Sequence, residues 1–335
     1  MSRVAPAEWS PHRAMWVGFP SREDLWREDL APAQAETAAL VRALAGPGEE
    51  RVRVMVMGDQ AEAAARRLLD DAGGVELVRG LFGDIWLRDT GPIYVEEAET
   101  TRAVGFRFNG WGGKYVLDHD DTVGEQIAAA SGTALEQHEA VLEGGAMDHD
   151  GLGAVLTTRQ CLLNPNRNPG WDEAAAEALL ARALGAKSVL WLGDGLHNDH
   201  TDGHVDNLAR FVAPGVVACP VAAHADDPNR DVYEDAARRL AAMKAVSGAP
   251  LQVVRMASPG RVEDEGGEVT PASHMNFVIA DGAVVMPTYG DTPGCQLALD
   301  TLKSLFPERT VIGLPSRRLL TGGGSFHCIT QQEPA

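Results

Sequence analysis

Apolar and polar positions along the chain change period many times. "RVRVMVMG" (51–58) alternates apolar and β-branched residues as a strand does, then runs into the alanine-rich "DQAEAAARRLLDDAGG". That second stretch carries helical spacing, with Asp59 placed to cap it and Gly73 to end it. Two further helices are predicted over 171–186, with acids in the first turn, and over 231–246. "NFVIADGAVVMP" (276–287) sets Asp281-Gly282 between two apolar runs, and "FVAPGVVAC" (211–219) does the same with Pro214-Gly215. Both read as hairpins. Strands alternating with helices, plus hairpins, predict an α/β protein whose sheets are mixed rather than wholly parallel.

Two echoes suggest a repeated module. "VMVMGDQAEAAARRL" resembles "VVMPTYGDTPGCQLALDTL", each a strand, a Gly-Asp and a helix, and "LEGGAM" (142–147) resembles "LTGGGS" (320–325). Together they favour one strand–helix unit repeated around a centre. No Pro/Ser-rich linker divides the chain, so a single domain over 1–335 is expected, with 259–273 as its flexible surface loop.

Composition narrows the classes. The net charge is −19, from 48 acidic and 29 basic residues, which repels phosphate backbones and argues against nucleic acid as a partner. No apolar run reaches membrane-spanning length and the first residues lack a secretory apolar core, so no membrane partner is expected and the cytoplasm is the expected location. Cys161, Cys219, Cys295 and Cys328 are sparse and form no CxxC pair, which does not suggest a disulfide framework.

Chemistry concentrates in a few stretches. "GDGLHNDHTDGHVDN" (193–207) holds His197, His200 and His204 among four aspartates, a set suited to zinc or manganese in a metallohydrolase. Its glycines break any helix, so a plain polar loop is the simpler reading. "FGDIWLRDTGPIYV" (82–95) embeds Asp84, Arg88 and Asp89 among residues that want burial, although Arg88 and Asp89 would also serve as a surface pair. In "VLEGGAMDHDG" a carboxylate, Glu143, stands beside two glycines. The chain ends near "TGGGSFHCITQQ", where Gly322, Gly323 and Gly324 precede His327 and Cys328. Asp89, Glu143, His204, Asp206 and Cys328 each sit at an apolar strand edge beside glycine or proline. One thiol, one imidazole and three carboxylates form an odd set, because the acids raise the thiol pKa. The set makes sense if the substrate brings a planar cation such as a guanidinium, which carboxylates clamp in pairs.

The motifs "PAEWSPH", "WLRDTGP", "FNGWGGKY", "LEGG", "LTTRQCLLNPNRNP", "TDGHVDN" and "GGGSFHCITQQ" extend over essentially the whole chain. With them the sequence resembles the agmatine deiminase family, among the guanidino-modifying enzymes that include arginine deiminases and bacterial peptidyl-arginine deiminases. The resemblance implies a five-bladed, pseudo-fivefold α/β propeller of the pentein type. It implies a hydrolase that needs no cofactor and no metal, converting agmatine and water to N-carbamoylputrescine and ammonia. Residue by residue, it implies Cys328 as nucleophile and His204 as acid/base. Asp89 and Asp206 become the guanidinium clamp, Glu143 orients the histidine and contacts substrate, and Trp86 walls the aliphatic part. On this reading the glycines carry the last strand across the centre and deliver Cys328 to the site.

The sequence departs from the family pattern at Val17-Gly18-Phe19 and at His274-Met275, both expected to touch the far end of the substrate. Another guanidine, such as free or peptidyl arginine, is the alternative substrate. Its α-carboxylate would need a cation, for which Arg88, Arg107 and Arg167 are the candidates near motifs. A propeller that only binds a partner is a third reading, disfavoured by the complete set of reactive residues. Whether the chain forms a homo-oligomer is left open.

Overall fold

A computed structural model describes residues 3–98 and 100–335, and in it the chain forms five small mixed sheets. In chain order the strands begin with β1 (His12–Gly18), β2 (Val52–Val56) and β3 (Val75–Arg79). The second sheet has β4 (Ile93–Glu97), β5 (Thr100–Arg107) and β6 (Leu135–Val141). The third has β7 (Met147–His149), β8 (Ala154–Thr158) and β9 (Ser188–Leu192). The fourth has β10 (Arg210–Ala213), β11 (Val216–Val221) and β12 (Gln252–Ala257), and the fifth β13 (Val278–Ile279), β14 (Ala283–Thr288) and β15 (Thr310–Pro315). β16 (Thr330–Pro334) returns to the first sheet, giving the order β16-β1-β2-β3.

Every sheet repeats one plan. Its first strand runs antiparallel to the second, and the second runs parallel to the third across a helix. The first sheet follows the same plan with β16 as its first strand, antiparallel to β1. These are the five blades of the expected propeller. The first sequence echo joins places that are not equivalent: β14 with helix Pro293–Leu305 is the second strand of its sheet, whereas β2 with helix Asp59–Leu69 is the third of its own, and β1 with helix Leu30–Ala45 holds the equivalent position.

The helices start and stop where local chemistry allows. Asp172 accepts a hydrogen bond from the Ala175 amide at 2.9 Å to begin Glu173–Leu184, and Gly185 ends it with φ 73°. Asp59 does not cap its helix: Gly58 holds that position and Asp59 lies in the first turn, while the helix stops at Leu69, before Gly73. The third expected helix spans Arg230–Ala242. Both hairpins form as expected.

β16 is held by its polar residues. Gln331 Nε2 donates to the Pro92 carbonyl at 2.7 Å, Gln332 Oε1 accepts from Arg88 Nη1 at 2.7 Å, and buried Glu333 pairs with Arg53 at 2.8 Å and with the Trp16 indole at 3.1 Å. Removing one partner of such a buried pair typically costs about 3–5 kcal/mol. The "CITQQ" segment thus fixes the strand that follows Cys328. Val17, Gly18 and Phe19 lie in the core beside β2, fully buried. Among the described residues, no helix is long and apolar enough to cross a membrane.

Candidate active site

Four of the five blades bring a reactive residue to the same place, in the segment leading into the first strand. Asp89 precedes β4, Glu143 precedes β7, His204 and Asp206 precede β10, and Cys328 precedes β16. Cys328 lies in the turn before the last strand and not on the strand itself, because pairing with β1 begins only at Thr330. The glycines before it do allow close approach, as expected. A Cβ on Gly324 would stand 2.6 Å from the Trp86 ring, and one on Gly322 would stand 2.6 Å from the Trp26 ring.

Asp89 is held from two sides. Its Oδ2 accepts from Trp111 Nε1 at 2.9 Å and its Oδ1 from the Gly145 amide at 2.9 Å. Trp111 takes φ 53°, a left-handed conformation unusual for a bulky residue, within "FNGWGGKY". Such strain clusters at functional sites, and here it delivers the indole to the carboxylate. His204 Nδ1 lies 3.6 Å from Asp89 Oδ1, and its Nε2 lies 4.0 Å from Glu143 Oε2. Neither ring nitrogen has a hydrogen-bond partner, and the histidine is fully buried. A Cβ on Gly145 would fall 2.6 Å from His204 Nδ1, 2.7 Å from Asp89 Oδ1 and 3.1 Å from Asp206 Oδ2. Three polar atoms therefore converge on one small space, and Gly145 keeps it open.

The electrostatics are those of a site short of a cation. Burial, then the negative charges of Asp206 and Asp89, push the Cys328 thiol well above its ordinary value. Burial and the Asp206 charge likewise hold the Asp89 carboxyl well above the carboxylate range, against the Trp111 hydrogen bond. Burial also raises Asp206, but the His327 hydrogen bond and charge more than offset it, leaving Asp206 below its usual value. Burial drives the His204 imidazole down to about 3 despite nearby Asp206. A planar cation between Asp89 and Asp206 would relieve the repulsion between the acids and favour the thiolate at once. The thiol and Asp206 are close, with Cys328 Sγ 3.8 Å from Asp206 Oδ2.

A cavity of about 370 Å³ leads to this point, lined among others by Trp26, Asp84, Trp86, Asp89, Trp111 and Cys328. His204, Asp206 and Glu143 lie behind that lining, each at most 1% exposed.

A model of the Porphyromonas-type peptidyl-arginine deiminase family matches residues 4–334. The chain belongs to this family. The agmatine deiminase of Ectopseudomonas mendocina is 39% identical, over 98% of this chain and 95% of the relative. That of Stutzerimonas stutzeri is 38% identical over the same shares. The solved structure of the Enterococcus faecalis agmatine deiminase superposes with a TM-score of 0.92 at 33% identity, covering 99% of this chain and 96% of that one.

Within this deiminase family chain, all six residues singled out from the sequence come together. Asp89, Trp86 and Cys328 face the cavity, and His204, Asp206 and Glu143 stand behind it. Other expectations need correction. Glu143 does not hydrogen-bond His204; it pairs with Arg167 Nε at 3.0 Å. Arg167 is spent on Glu143 and Asp202, and Arg88 is buried off the cavity lining against Gln332 and the His327 carbonyl, so neither meets a substrate carboxylate in the cavity. Arg88 and Asp89 are accordingly no surface pair, and Arg107 is exposed and off the cavity lining. Val17-Gly18-Phe19 and His274-Met275 do not line the cavity either; His274 is buried with Nδ1 2.9 Å from the Ala257 carbonyl.

The three histidines of 193–207 do not gather. Among the described residues, His204 clusters instead with Glu143 and Cys161, while His200 lies 3.3 Å from the Tyr115 hydroxyl. His197 and His200 are loop residues, as the glycine-broken pattern suggests.

No local motif marks Asn276. It precedes β13, in the fifth blade, and its Nδ2 lies 3.2 Å from Cys328 Sγ while its Oδ1 accepts from the His327 amide at 2.9 Å. The repeat itself was the available signal, because four blades offer a polar residue ahead of the first strand and the fifth should too.

Proposed function

We propose that the chain hydrolyses agmatine to N-carbamoylputrescine and ammonia through a covalent amidino-cysteine intermediate. The observation that carries this reading is the convergence of Cys328, Asp89, Asp206 and His204 at the end of a tryptophan-walled cavity. The relatives named agmatine deiminase support the choice of substrate.

The guanidinium enters between Asp89 and Asp206, and its charge favours ionisation of Cys328. The sulfur forms a bond to the guanidinium carbon, and its proton passes to His204. The resulting tetrahedral centre expels the unsubstituted nitrogen, which takes that proton from His204 and leaves as ammonia. His204, neutral again, accepts a proton from water as the water oxygen bonds to the same carbon. The C–S bond then breaks, the thiol recovers a proton, and the ureido product departs with release of the proton once held by the cation. One imidazole serves both halves, and each half is easier than direct hydrolysis. The acids position the group and offset its charge.

Agmatine fits better than arginine because Arg27, exposed at the rim, is the only arginine or lysine on the cavity lining among the described residues. A substrate carboxylate deeper in would face acids and indoles. The test is direct: the protein is incubated with agmatine and with arginine, and ammonia and ureido product are measured. Agmatine should be preferred in kcat/KM by about a hundredfold or more. Comparable turnover of arginine would overturn the agmatine assignment while leaving a deiminase.

A further inference from the structure

We propose that Asp84 receives the distal ammonium of the substrate and thereby selects aminoalkyl guanidines over plain alkyl guanidines. This inference rests on the agmatine reading and concerns the other end of the same cavity.

Asp84 lines the cavity and is 7% exposed. Its Oδ1 accepts from Trp26 Nε1 at 3.0 Å and its Oδ2 from Trp86 Nε1 at 2.7 Å. Both donors are neutral. Among the described residues, no lysine, arginine or histidine forms an ion pair with it, whereas Glu143 has Arg167 and Asp206 has His327; Asp89, beside only the His204 imidazole at 3.6 Å, is the acid that meets the guanidinium. A buried carboxylate without a cation is costly, and each of its oxygens keeps a lone pair for one more donor. The neighbouring charges do not supply the cation. Asp120 is a second carboxylate, accepting from the Gly83 and Asp84 amides at 2.8 and 3.1 Å, and Arg22 is engaged by Asp24. Across the cavity, Asp29 is already paired with Arg318 at 2.9 Å, and Glu28 is exposed at the rim.

The Trp86 indole supplies the direction. Its six-membered ring packs against Gly322 and Gly324, beside Cys328, while its N–H faces Asp84. An aliphatic chain laid along this ring leads from the thiol to the Asp84 carboxylate, and Trp26 and Trp111 complete apolar walls around it. The ammonium of agmatine would meet an acid already oriented by two indoles. Burial lifts the Asp84 carboxyl to about 7, with the Asp120 charge adding in the same direction, so its charge varies near neutrality.

The experiment compares kcat/KM for agmatine and for butylguanidine, which has the same carbon chain without the amine. On the wild-type protein, agmatine should be preferred by about a hundredfold at pH above about 8. That preference should shrink as pH falls through about 7, because protonated Asp84 no longer attracts the ammonium. Titration of Asp89 acts on the guanidinium of both compounds and cancels in the ratio. Asp84→Asn should bring the ratio close to one, mainly through loss on agmatine. Equal loss on both compounds would show that Asp84 only holds the indoles in place, and would overturn the proposal. An unchanged ratio in Asp84→Asn would overturn it, and so would loss of the preference in Glu28→Gln instead. If Asp84→Asn does not fold, the wild-type pH series still decides: a ratio flat from about pH 6 to 8 overturns the proposal. Each of these failures leaves agmatine turnover standing, whereas turnover of arginine alone would remove the functional reading and this subsite together.

Discussion

The imidazole of His327 stands between two carboxylates, with Nδ1 2.9 Å from Asp206 Oδ2 and Nε2 2.9 Å from Glu8 Oε2. Glu8 is anchored in turn by the Arg210 guanidinium and by the Ile279 amide at 2.7 Å. The histidine beside the nucleophile therefore works through Asp206, keeping one arm of the clamp ionised despite full burial.

A pH dependence follows with a definite sign. Asp89 is held above its usual value, so kcat/KM should fall on the acid side as that carboxyl takes up a proton. Glu8→Gln removes the carboxylate that holds the far side of the His327 ring, and so loosens the hydrogen bond and charge that keep Asp206 low. The acid limb of kcat/KM should then move to higher pH by on the order of one unit. The check is a pH–rate profile of both proteins; an unmoved limb would make the Glu8 network purely structural.

Cys328→Ser should abolish turnover while the fold survives, because a hydroxyl is far less ionised than a thiol and the acids around it disfavour an anion further. Cys219→Ser and Cys295→Ser should retain most activity, since both lie in apolar cores away from the site. Mass spectrometry of a quenched reaction should find the amidino adduct on the Cys328 peptide, and an adduct on another cysteine would reassign the nucleophile.

Asp89→Asn and Asp206→Asn keep the shape of the clamp and remove its charge. Each should lower kcat/KM by about a hundredfold to several thousandfold, equivalent to about 3–5 kcal/mol. Glu143→Gln should also be severe, through the loss of its ion pair with Arg167 behind His204. Steady-state kinetics decide, and near-normal values for either aspartate variant would remove that residue from the site.

Gly145→Ala tests the geometry without touching a charge. Its new Cβ would occupy the space shared by His204, Asp89 and Asp206. Activity should fall by about a hundredfold or more, because displacements of about 1 Å cost that much at reacting centres. Stability should drop by about 1–3 kcal/mol from overpacking, read as a lower Tm. A variant with normal rates would show that the space is not where the substrate reacts.

The reacting residues were legible because each sits in a short run that combines apolar strand residues, a turn former and one charged group, and because those runs form the family's motifs. The repeat was legible at "LEGG" and "TGGG", each ahead of the first strand of a sheet, whereas the pattern shared by β2 and β14 falls at different places in the plan. What stayed hidden are pairings across the chain. Arg167 with Glu143, and Arg88 with Gln332, place guanidinium groups where no local pattern shows whether they face substrate or core. Val17 through Phe19 and His274 looked like substrate contacts because they depart from the family pattern. In the fold they belong to the core, where such replacements alter packing.

The pairing of β16 with β1 joins His12 to Pro334, so the sheet that carries the nucleophile unites the two ends of the chain. Contacts so distant in sequence carry the largest loop-closure cost and form late unless other structure has already brought the ends together. A chain with four blades folded would already hold Asp89, Glu143, His204, Asp206 and Asn276, yet its thiol would be elsewhere. Recovery of activity on refolding should therefore lag behind recovery of helical signal, reporting the closing of the ring rather than the folding of any one blade.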